Sequence, residues 1–264
     1  MSLIKTTEEI EKLRQGGAIL SHTLRKVREM CVPGVTSEQL DALARKQLAE
    51  AGATPSFLGY QISKHDPKYP GALCVSVNDE VVHGLPVPAR LIKEGDVVGL
   101  DIGAWYEGLC TDMATTVIAG KPRHAREEAL VMDTREALVR AISVVRDGAL
   151  VGDIGAAVED YLTPKRYGIV RDLVGHGVGH AVHEDPSIPN FRDPRTAGFV
   201  LRTGMVIAIE PMVALGSWHV YQKRDGWTIA TEDRSPVAHF ELTIAVTETG
   251  YELLTPWPDE PLDS

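Results

Sequence analysis

Apolar side chains near the start of the chain recur three or four residues apart, which is the spacing of one face of a helix. Thr7, Glu8 and Glu9 precede them as a capped helix start. The recurring positions are Ile10, Leu13, Ile19, Leu20, Leu24 and Val27. This pattern predicts an amphipathic helix in the first part of the sequence.

Further helices and strands follow in a repeating order. A second helix is predicted to begin after Thr36-Ser37-Glu38, and two more are expected over residues 123–145 and 154–167. Strand-like runs of apolar and β-branched residues follow each pair of helices. The order is therefore two helices and then strands, twice over. This order predicts an α+β fold built from two related halves.

Carboxylates stand inside several of the strand-like runs. Asp101 follows Val-Val-Gly-Leu, Glu210 follows Met-Val-Ile-Ala-Ile, and Glu241 lies between Phe and Leu. Ionised carboxylates are almost never fully buried without a partner, because their desolvation costs several kcal/mol. Lys and Arg are scarce in these runs, so a metal ion is the favoured counter-charge. For any single carboxylate, the alternative is an exposed polar position on a strand.

A hairpin is expected to bring Asp112 close to Asp101. Residues 105–108, Trp-Tyr-Glu-Gly, separate two strand-like runs and include a turn glycine. A turn centred between Tyr106 and Glu107 pairs Asp101 directly with Asp112 on one side of the sheet. Like charges at such a cross-strand pair repel each other unless a cation lies between them. The hairpin therefore predicts a divalent ion between the two aspartates.

A glycine-rich segment supplies the histidines. Residues 175–184 read Gly-His-Gly-Val-Gly-His-Ala-Val-His-Glu. His176 and His180 are four residues apart, but the His-Glu-x-x-His order of helical zinc proteases is missing and the alternating glycines disfavour a helix. The segment is predicted to be a strand or an extended loop. A lone histidine is usually structural, whereas three histidines in so short a segment favour a site.

Composition and charge narrow the class of protein. The 264 residues, 44% of them hydrophobic, fit one domain over residues 1–264. No apolar run approaches the roughly 20 residues of a membrane span and no signal peptide is evident, so we expect a cytoplasmic protein without membrane contact. Cys31, Cys74 and Cys110 contain no Cys-x-x-Cys pair, which indicates neither disulfides nor a structural zinc site. The net charge of −10 argues against a nucleic-acid substrate.

Five motifs, in order along the chain, resemble those of the bacterial type I methionine aminopeptidases. They are Val75-Ser76-Val77-Asn78-Asp79-Glu80-Val81-Val82-His83-Gly84, Leu100-Asp101-Ile102-Gly103 with Cys110-Thr111-Asp112, Gly175-His176-Gly177-Val178-Gly179-His180, Ile209-Glu210-Pro211 and Phe240-Glu241-Leu242-Thr243. The resemblance extends from about Thr7 to Thr255. It implies the pita-bread fold, in which two pseudo-symmetric halves enclose a central dinuclear metal site. The implied activity is removal of the initiator methionine from nascent proteins when the second residue is small.

The resemblance assigns roles to the carboxylates and to one histidine. Asp112 and Glu241 would bridge two divalent ions. Asp101 would complete the coordination of one ion, and His176 with Glu210 that of the other. These oxygen and imidazole donors suit Co, Mn, Fe(II) or Zn without choosing among them. The ions would lower the pKa of a shared water, and the resulting hydroxide would attack the scissile carbonyl.

The resemblance also implies catalytic and substrate contacts. His83 and His183 match histidines that contact the scissile amide, and Glu210 would move the proton to the leaving nitrogen. The loop over residues 61–69 is longer than usual, so Tyr69 is not firmly assigned to the methionine pocket. Val182 stands where bacterial relatives often carry Phe. The residues expected to bind substrate are Phe57, Tyr60, Cys74, His83, His183 and Trp227.

The same resemblance implies a monovalent cation near Asn78 and Ser235. We further expect a monomer that acts on the N-termini of nascent polypeptides and associates transiently with the ribosome. Two positions depart from the family pattern, since His239 replaces a common Gln and Leu242 replaces a common His. Strand alternation predicts that His239 shares the face of Glu241, whereas Leu242 points to the opposite face.

Two other functions remain as alternatives. A prolidase or aminopeptidase P would share the ligands, but those enzymes usually carry an additional N-terminal domain. A non-catalytic relative that binds nascent chains or partner proteins typically lacks some of the ligands, whereas all five are present here. Cleavage of methionyl and proline-containing peptides separates these alternatives.

Overall fold

The computed structural model describes residues 2–61, 63–64 and 66–259 and contains four α-helices within them. A short 3-10 helix, Thr163–Lys165, continues directly from the last of them. The helices are α1 (Thr7–Met30), α2 (Ser37–Glu50), α3 (Ala125–Ser143) and α4 (Val151–Leu162). The predicted order of helices is confirmed. The fourth helix begins earlier than predicted, and its α-helical part ends at Leu162 because Pro164 has no N–H to continue the ladder.

Threonine side chains cap the first two helices. The Thr6 hydroxyl accepts a hydrogen bond from the backbone N–H of Glu9, and the Glu9 carboxylate accepts one from the N–H of Thr6. Thr36 and Gln39 form the same capping box at α2. The cap of α1 is therefore Thr6 and not Thr7, because the Thr6 hydroxyl is the one that accepts from a first-turn N–H.

Fifteen strands are present in the described residues, and nine of them belong to one sheet. The strands before α3 are β1 (Thr54–Pro55), β2 (Cys74–Val77), β3 (Glu80–Val82), β4 (Val97–Tyr106) and β5 (Leu109–Ile118). The strands after α4 are β6 (Gly168–Ile169), β7 (Gly175–Gly177), β8 (Glu184–Ile188), β9 (Val206–Ile209), β10 (Met212–Ala214), β11 (Val220–Gln222), β12 (Ile229–Thr231), β13 (Val237–His239), β14 (Glu241–Val246) and β15 (Tyr251–Leu253).

The nine-stranded sheet joins strands from both parts of the chain within the described residues. Its order is β1-β4-β5-β14-β9-β7-β8, while β2 pairs with β4 and β15 pairs with β14. Two three-stranded sheets, β13-β10-β6 and β11-β12-β3, lie beside it. Because β5 pairs with β14, the hairpin before α3 is hydrogen-bonded to the strands that follow α4.

The β4–β5 hairpin has a different register from the predicted one. Glu107 and Gly108 both have positive φ, 50° and 82°, which is what a two-residue turn of the mirror-image type requires. The turn is therefore centred one residue later than predicted, and Asp112 pairs with Gly103 while Asp101 pairs with Ala114. The predicted direct Asp101–Asp112 pair is wrong. The two aspartates still share a face, because an offset of two residues preserves the alternation of side chains.

The helices cover the sheet and enclose the core. α1 packs on β4 and β5 and also contacts α2, while α3 and α4 pack on each other. Gly17 lets α1 approach the chain after β15 closely, since a Cβ there would lie 1.9 Å from the Leu254 carbonyl oxygen. No helix among the described residues is long and apolar enough to pass through a membrane.

Candidate metal centre

Five adjacent strands of the large sheet each bring one of the predicted ligands to the same place. The strands run β4-β5-β14-β9-β7 across the sheet. Asp101 and Glu241 pair with Ala114 from its two sides, so they stand in one row across β5. His176 pairs with Ala208, two residues before Glu210, which directly follows β9. The side chains delivered in this way, in strand order, are Asp101, Asp112, Glu241, Glu210 and His176.

The ligand atoms lie close enough together to share cations. The Nε2 atom of His176 is 3.5 Å from Oε1 of Glu210 and 3.9 Å from Oε1 of Glu241. One ligand atom from each of Asp112, His176 and Glu241 lies within 4.8 Å of the others. Asp101 lines the same pocket as these three residues. The structure thus brings together all five side chains that the sequence singled out.

Burial disfavours the ionised form of these carboxyl groups. It raises the pKa of Asp101 to about 7 and the pKa of Glu210 to about 8. Burial, followed by the charge of neighbouring carboxylates, raises the pKa of Asp112 and Glu241 well above the usual range. Within the described residues, Oδ1 of Asp101, Oδ1 of Asp112 and Oε1 of Glu241 are buried without a hydrogen-bond partner. Divalent cations would satisfy these atoms, so the donor set fits them.

His176 is oriented as a metal ligand would be. Its Nδ1 atom is 2.9 Å from the carbonyl oxygen of Gly177 and must donate, since a carbonyl only accepts. Burial lowers the pKa of His176 to about 3, so the ring is neutral and Nε2 carries the lone pair. A hydrogen bond from one ring nitrogen that directs the other toward a metal is a common arrangement in proteins.

The glycines beside His176 have a steric role. A Cβ at Gly175 would lie 2.4 Å from the carbonyl oxygen of Ala208, and one at Gly177 would lie 2.1 Å from that of Asp185. Within the segment, Gly175–Gly177 forms β7 between β8 and β9, as predicted, whereas residues 179–183 bend back toward β8. The glycines let neighbouring strands approach this segment.

His83 and His183 line the pocket beside the candidate metal ligands. The ring of His183 lies 4.5 Å from that of His176, and its Nδ1 atom is 2.9 Å from the Tyr60 hydroxyl. His83 has a left-handed backbone with φ 58°, an uncommon conformation for this residue type that is frequent at functional sites. Burial lowers the pKa of His183 and lowers that of His83 to about 4, so both rings are neutral near pH 7.

Aromatic side chains form the other end of the pocket. Tyr69 is buried and meets Trp227 edge to face, with ring centroids 5.3 Å apart. Its hydroxyl donates to the carbonyl oxygen of Gly84. Tyr69 therefore joins the pocket, although residues 62 and 65 of its loop lie outside the described part of the chain. Val182 packs in a separate cluster with Leu13 and does not line this pocket in the described structure.

Several lining residues could not be recognised in the sequence. The lining includes every predicted substrate contact: Phe57, Tyr60, Cys74, His83, His183 and Trp227. The residues that were missed are Val82, Leu173, Val174 and Met212, whereas Tyr69 was considered but not firmly assigned. An apolar residue in a strand or a connecting segment has the same local pattern whether it faces a pocket or the core, so no sequence signal marks these positions.

The two departures from the family pattern lie where strand alternation predicts. His239 is buried with its Nε2 atom 3.5 Å from Oε2 of Glu210 and 4.0 Å from Oε2 of Glu241. Leu242 is fully buried in the main hydrophobic core. His239 therefore lies beside the candidate ligands Glu210 and Glu241, whereas Leu242 lies in the core.

Comparisons with known proteins agree with this site. Residues 11–248 match metallopeptidase family M24. The chain is 46% identical over 250 residues to a methionine aminopeptidase of Aquifex aeolicus, covering 94% of this chain and 96% of the relative. It is 37% identical over 253 residues to the methionine aminopeptidase of Escherichia coli, covering 96% and 93%.

Solved structures share the fold. The crystal structure of methionine aminopeptidase from Thermotoga maritima matches with a TM-score of 0.90 at 46% identity, covering 96% of this chain and 98% of that one. A prolidase from Pyrococcus furiosus shares the fold at 24% identity and a TM-score of 0.75, but this chain covers 65% of it. The predicted pita-bread fold is confirmed, whereas the pseudo-symmetry of its halves stays a prediction. This chain therefore belongs to the methionine aminopeptidases of metallopeptidase family M24.

Proposed function

We propose that this chain is a metal-dependent aminopeptidase that removes the N-terminal methionine of nascent polypeptides when the second residue is small. The observation that carries the proposal is the meeting of three buried carboxylates, the partly buried Glu210 and His176 at one end of an aromatic pocket. The apolar end suits a methionine side chain. The names of the relatives point to the same activity.

Two divalent ions are proposed for the centre, with Asp112 and Glu241 shared between them. Glu241 lies on the middle strand of the five that carry ligands, so it has neighbours on both sides. Asp101 would help to hold one ion, and His176 with Glu210 would help to hold the other. When bound, such ions polarise a carbonyl and lower the pKa of a water molecule. Co, Mn, Fe(II) and Zn all fit the donor types.

The remaining polar residues handle the substrate. His183, whose Nδ1 atom is hydrogen-bonded to Tyr60, and His83, which packs against Trp227, hydrogen-bond to the scissile amide. Their neutral rings can donate without adding charge to the ground state. Glu210 would carry a proton to the leaving nitrogen.

Other features belong to the same proposal. The described residues form a single catalytic domain, which is supported by a sheet containing strands from both parts of the chain. A monovalent cation binds near Asn78 and Ser235, where the Ser235 hydroxyl is buried without a hydrogen-bond partner in the described residues. The protein acts in the cytoplasm as a monomer with transient ribosome contact.

Peptide cleavage after chelation and re-addition of single metals tests the function. We expect Met-Gly-X to be cleaved, Met-Leu-X to be cleaved far more slowly, and N-acetylated Met-Gly-X to resist cleavage as the matched control. Preferential cleavage of X-Pro peptides would favour a prolidase. Stoichiometric metal binding without cleavage of any peptide would favour a non-catalytic binding protein.

A further inference from the structure

His239 is a buried histidine at the centre whose Nε2 atom lacks a hydrogen-bond partner among the described residues. Its side chain is 3% exposed. The Nε2 atom faces Oε2 of Glu210 at 3.5 Å and Oε2 of Glu241 at 4.0 Å. Together, these three side chains form a second group of potential ligand atoms within 4.8 Å of one another. A buried, unpartnered nitrogen directed at two carboxylates calls for a cation between them.

The backbone holds His239 firmly in this position. Its N–H donates to Oγ1 of Thr116 at 2.8 Å, and the Thr116 hydroxyl donates back to the His239 carbonyl oxygen at 2.7 Å. On the other side, His239 pairs with Met212 of β10. The position of the ring therefore follows from the sheet.

The distances from the His239 Nε2 atom to the two carboxylates match those from the Nε2 atom of His176. His176 approaches the Oε1 atoms of Glu210 and Glu241 at 3.5 and 3.9 Å, whereas His239 approaches their Oε2 atoms at 3.5 and 4.0 Å. A charge-assisted hydrogen bond would be shorter, at roughly 2.7–2.9 Å. Two donors that each lie about 2.1 Å from one ion can be up to about 4.2 Å apart. Both separations of His239 fall within that limit.

We propose that His239 is a sixth protein ligand of the metal centre and supplies a second imidazole nitrogen. This inference rests on the proposed function only in that it assumes a bound divalent metal. His176 approaches one carboxylate oxygen of Glu210 and one of Glu241, and His239 approaches the other oxygen of each. Imidazole suits Zn, Fe(II), Co and Ni better than Mn or Mg, which favour oxygen ligands. The second imidazole therefore shifts the metal preference of this chain toward Zn, Fe(II), Co and Ni.

X-ray absorption spectroscopy of the cobalt-loaded protein tests the proposal without relying on catalysis, because scattering from imidazole rings counts the histidines bound to the metal. We expect two imidazoles per dinuclear centre in the wild-type protein and one in His239→Gln. His83→Gln is the matched control, since it removes another pocket histidine and should leave the count at two. A count of one in the wild-type protein would overturn the proposal, even if His239→Gln fails to fold.

Metal competition provides a second measurement. His239→Gln should weaken Co and Zn binding by more than the roughly 10–100-fold typical of losing an outer hydrogen-bond partner, with a smaller effect on Mn. Equal, small losses for all three metals would show that His239 only orients Glu210. Failure of the proposed function is distinguishable, because a protein with two bound imidazoles that cleaves no methionyl peptide contradicts the activity and leaves the ligand assignment intact.

Discussion

At the scale of single residues, the centre consists of carboxylates that have no protein cation beside them. The ion pairs of Glu210 and Glu241 in the described residues are all with His176 or His239. Burial lowers the pKa of both histidines, so neither ring is charged near neutral pH. The negative charge must therefore be balanced by metal or removed by protonation, and this choice determines the properties of the site.

Asp112→Asn and Glu241→Gln should each reduce peptide cleavage by several orders of magnitude, because each removes a carboxylate proposed to bind both ions. Metal content, measured by elemental analysis, should fall together with kcat. Glu248→Gln, which changes an exposed carboxylate away from the centre, is the control and should leave both unchanged. Near-normal turnover with full metal occupancy in either variant would rule out the bridging assignment.

His83→Ala and His183→Ala should retain the metal but lower kcat. Their proposed hydrogen bonds strengthen as the tetrahedral intermediate forms, and removing one such donor typically costs ~10²–10³ in kcat. Steady-state kinetics with Met-Gly-X, alongside metal analysis, separates chemistry from metal loss. A change confined to KM would mean that these residues only position the substrate.

At the scale of elements, the position of the candidate ligand His176 depends on how closely β7 packs against its neighbouring strands. β7 lies between β8 and β9, and Gly175 and Gly177 allow that contact because their missing Cβ atoms would collide with neighbouring carbonyl oxygens. The strand holds His176 in register with Ala208. The geometry of the histidine ligand is thus a property of three strands and not of the histidine segment alone.

Gly177→Ala should destabilise the protein by about 3 kcal/mol or more, because the new Cβ would lie 2.1 Å from the Asp185 carbonyl oxygen and must displace β8. Metal affinity should fall as well, since His176 moves with the strand. Gly198→Ala is the matched control, with no atom within 4 Å of its added Cβ. Denaturant unfolding checks the prediction, and equal stability of the two variants would contradict it.

At the scale of the whole molecule, the sheet links metal binding to folding. The ligands come from five strands that are spread along the sequence, so the site exists only when the sheet is assembled. A metal that binds the folded state alone stabilises the entire fold by mass action. The raised pKa values of the buried carboxyl groups make that stabilisation depend on pH.

The metal-free protein should lose stability as pH rises from about 7 to about 9. In that window the carboxyl groups of the unfolded chain are ionised, whereas the folded protein still binds protons. The folded protein does so because the pKa of Glu210 is about 8 and the pKa values of Asp112 and Glu241 are raised well above normal. The free energy of unfolding therefore falls with pH. The buried histidines act in the opposite direction only below about pH 6.5, where they become charged in the unfolded chain.

Thermal unfolding of the chelated and metal-loaded protein at both ends of this window measures the effect. The Tm difference between the two forms should be larger at the higher pH. Glu210→Gln should make the Tm of the chelated form fall less steeply with pH. A Tm of the metal-free protein that rises with pH across this window would contradict the prediction.

The sequence by itself determined the order of the helices, the strand that carries His176 and the chemical types of the candidate ligands. It also determined the faces of His239 and Leu242, because helical periodicity and strand alternation are local properties of the chain. The tertiary structure alone decided the pairing of Asp101 with Ala114, the place of Tyr69 in the pocket and the steric role of Gly177. These features depend on turn conformation and on contacts between distant strands. A periodic pattern cannot encode them, because a shift of two residues leaves every side chain on the same face while changing which residues meet.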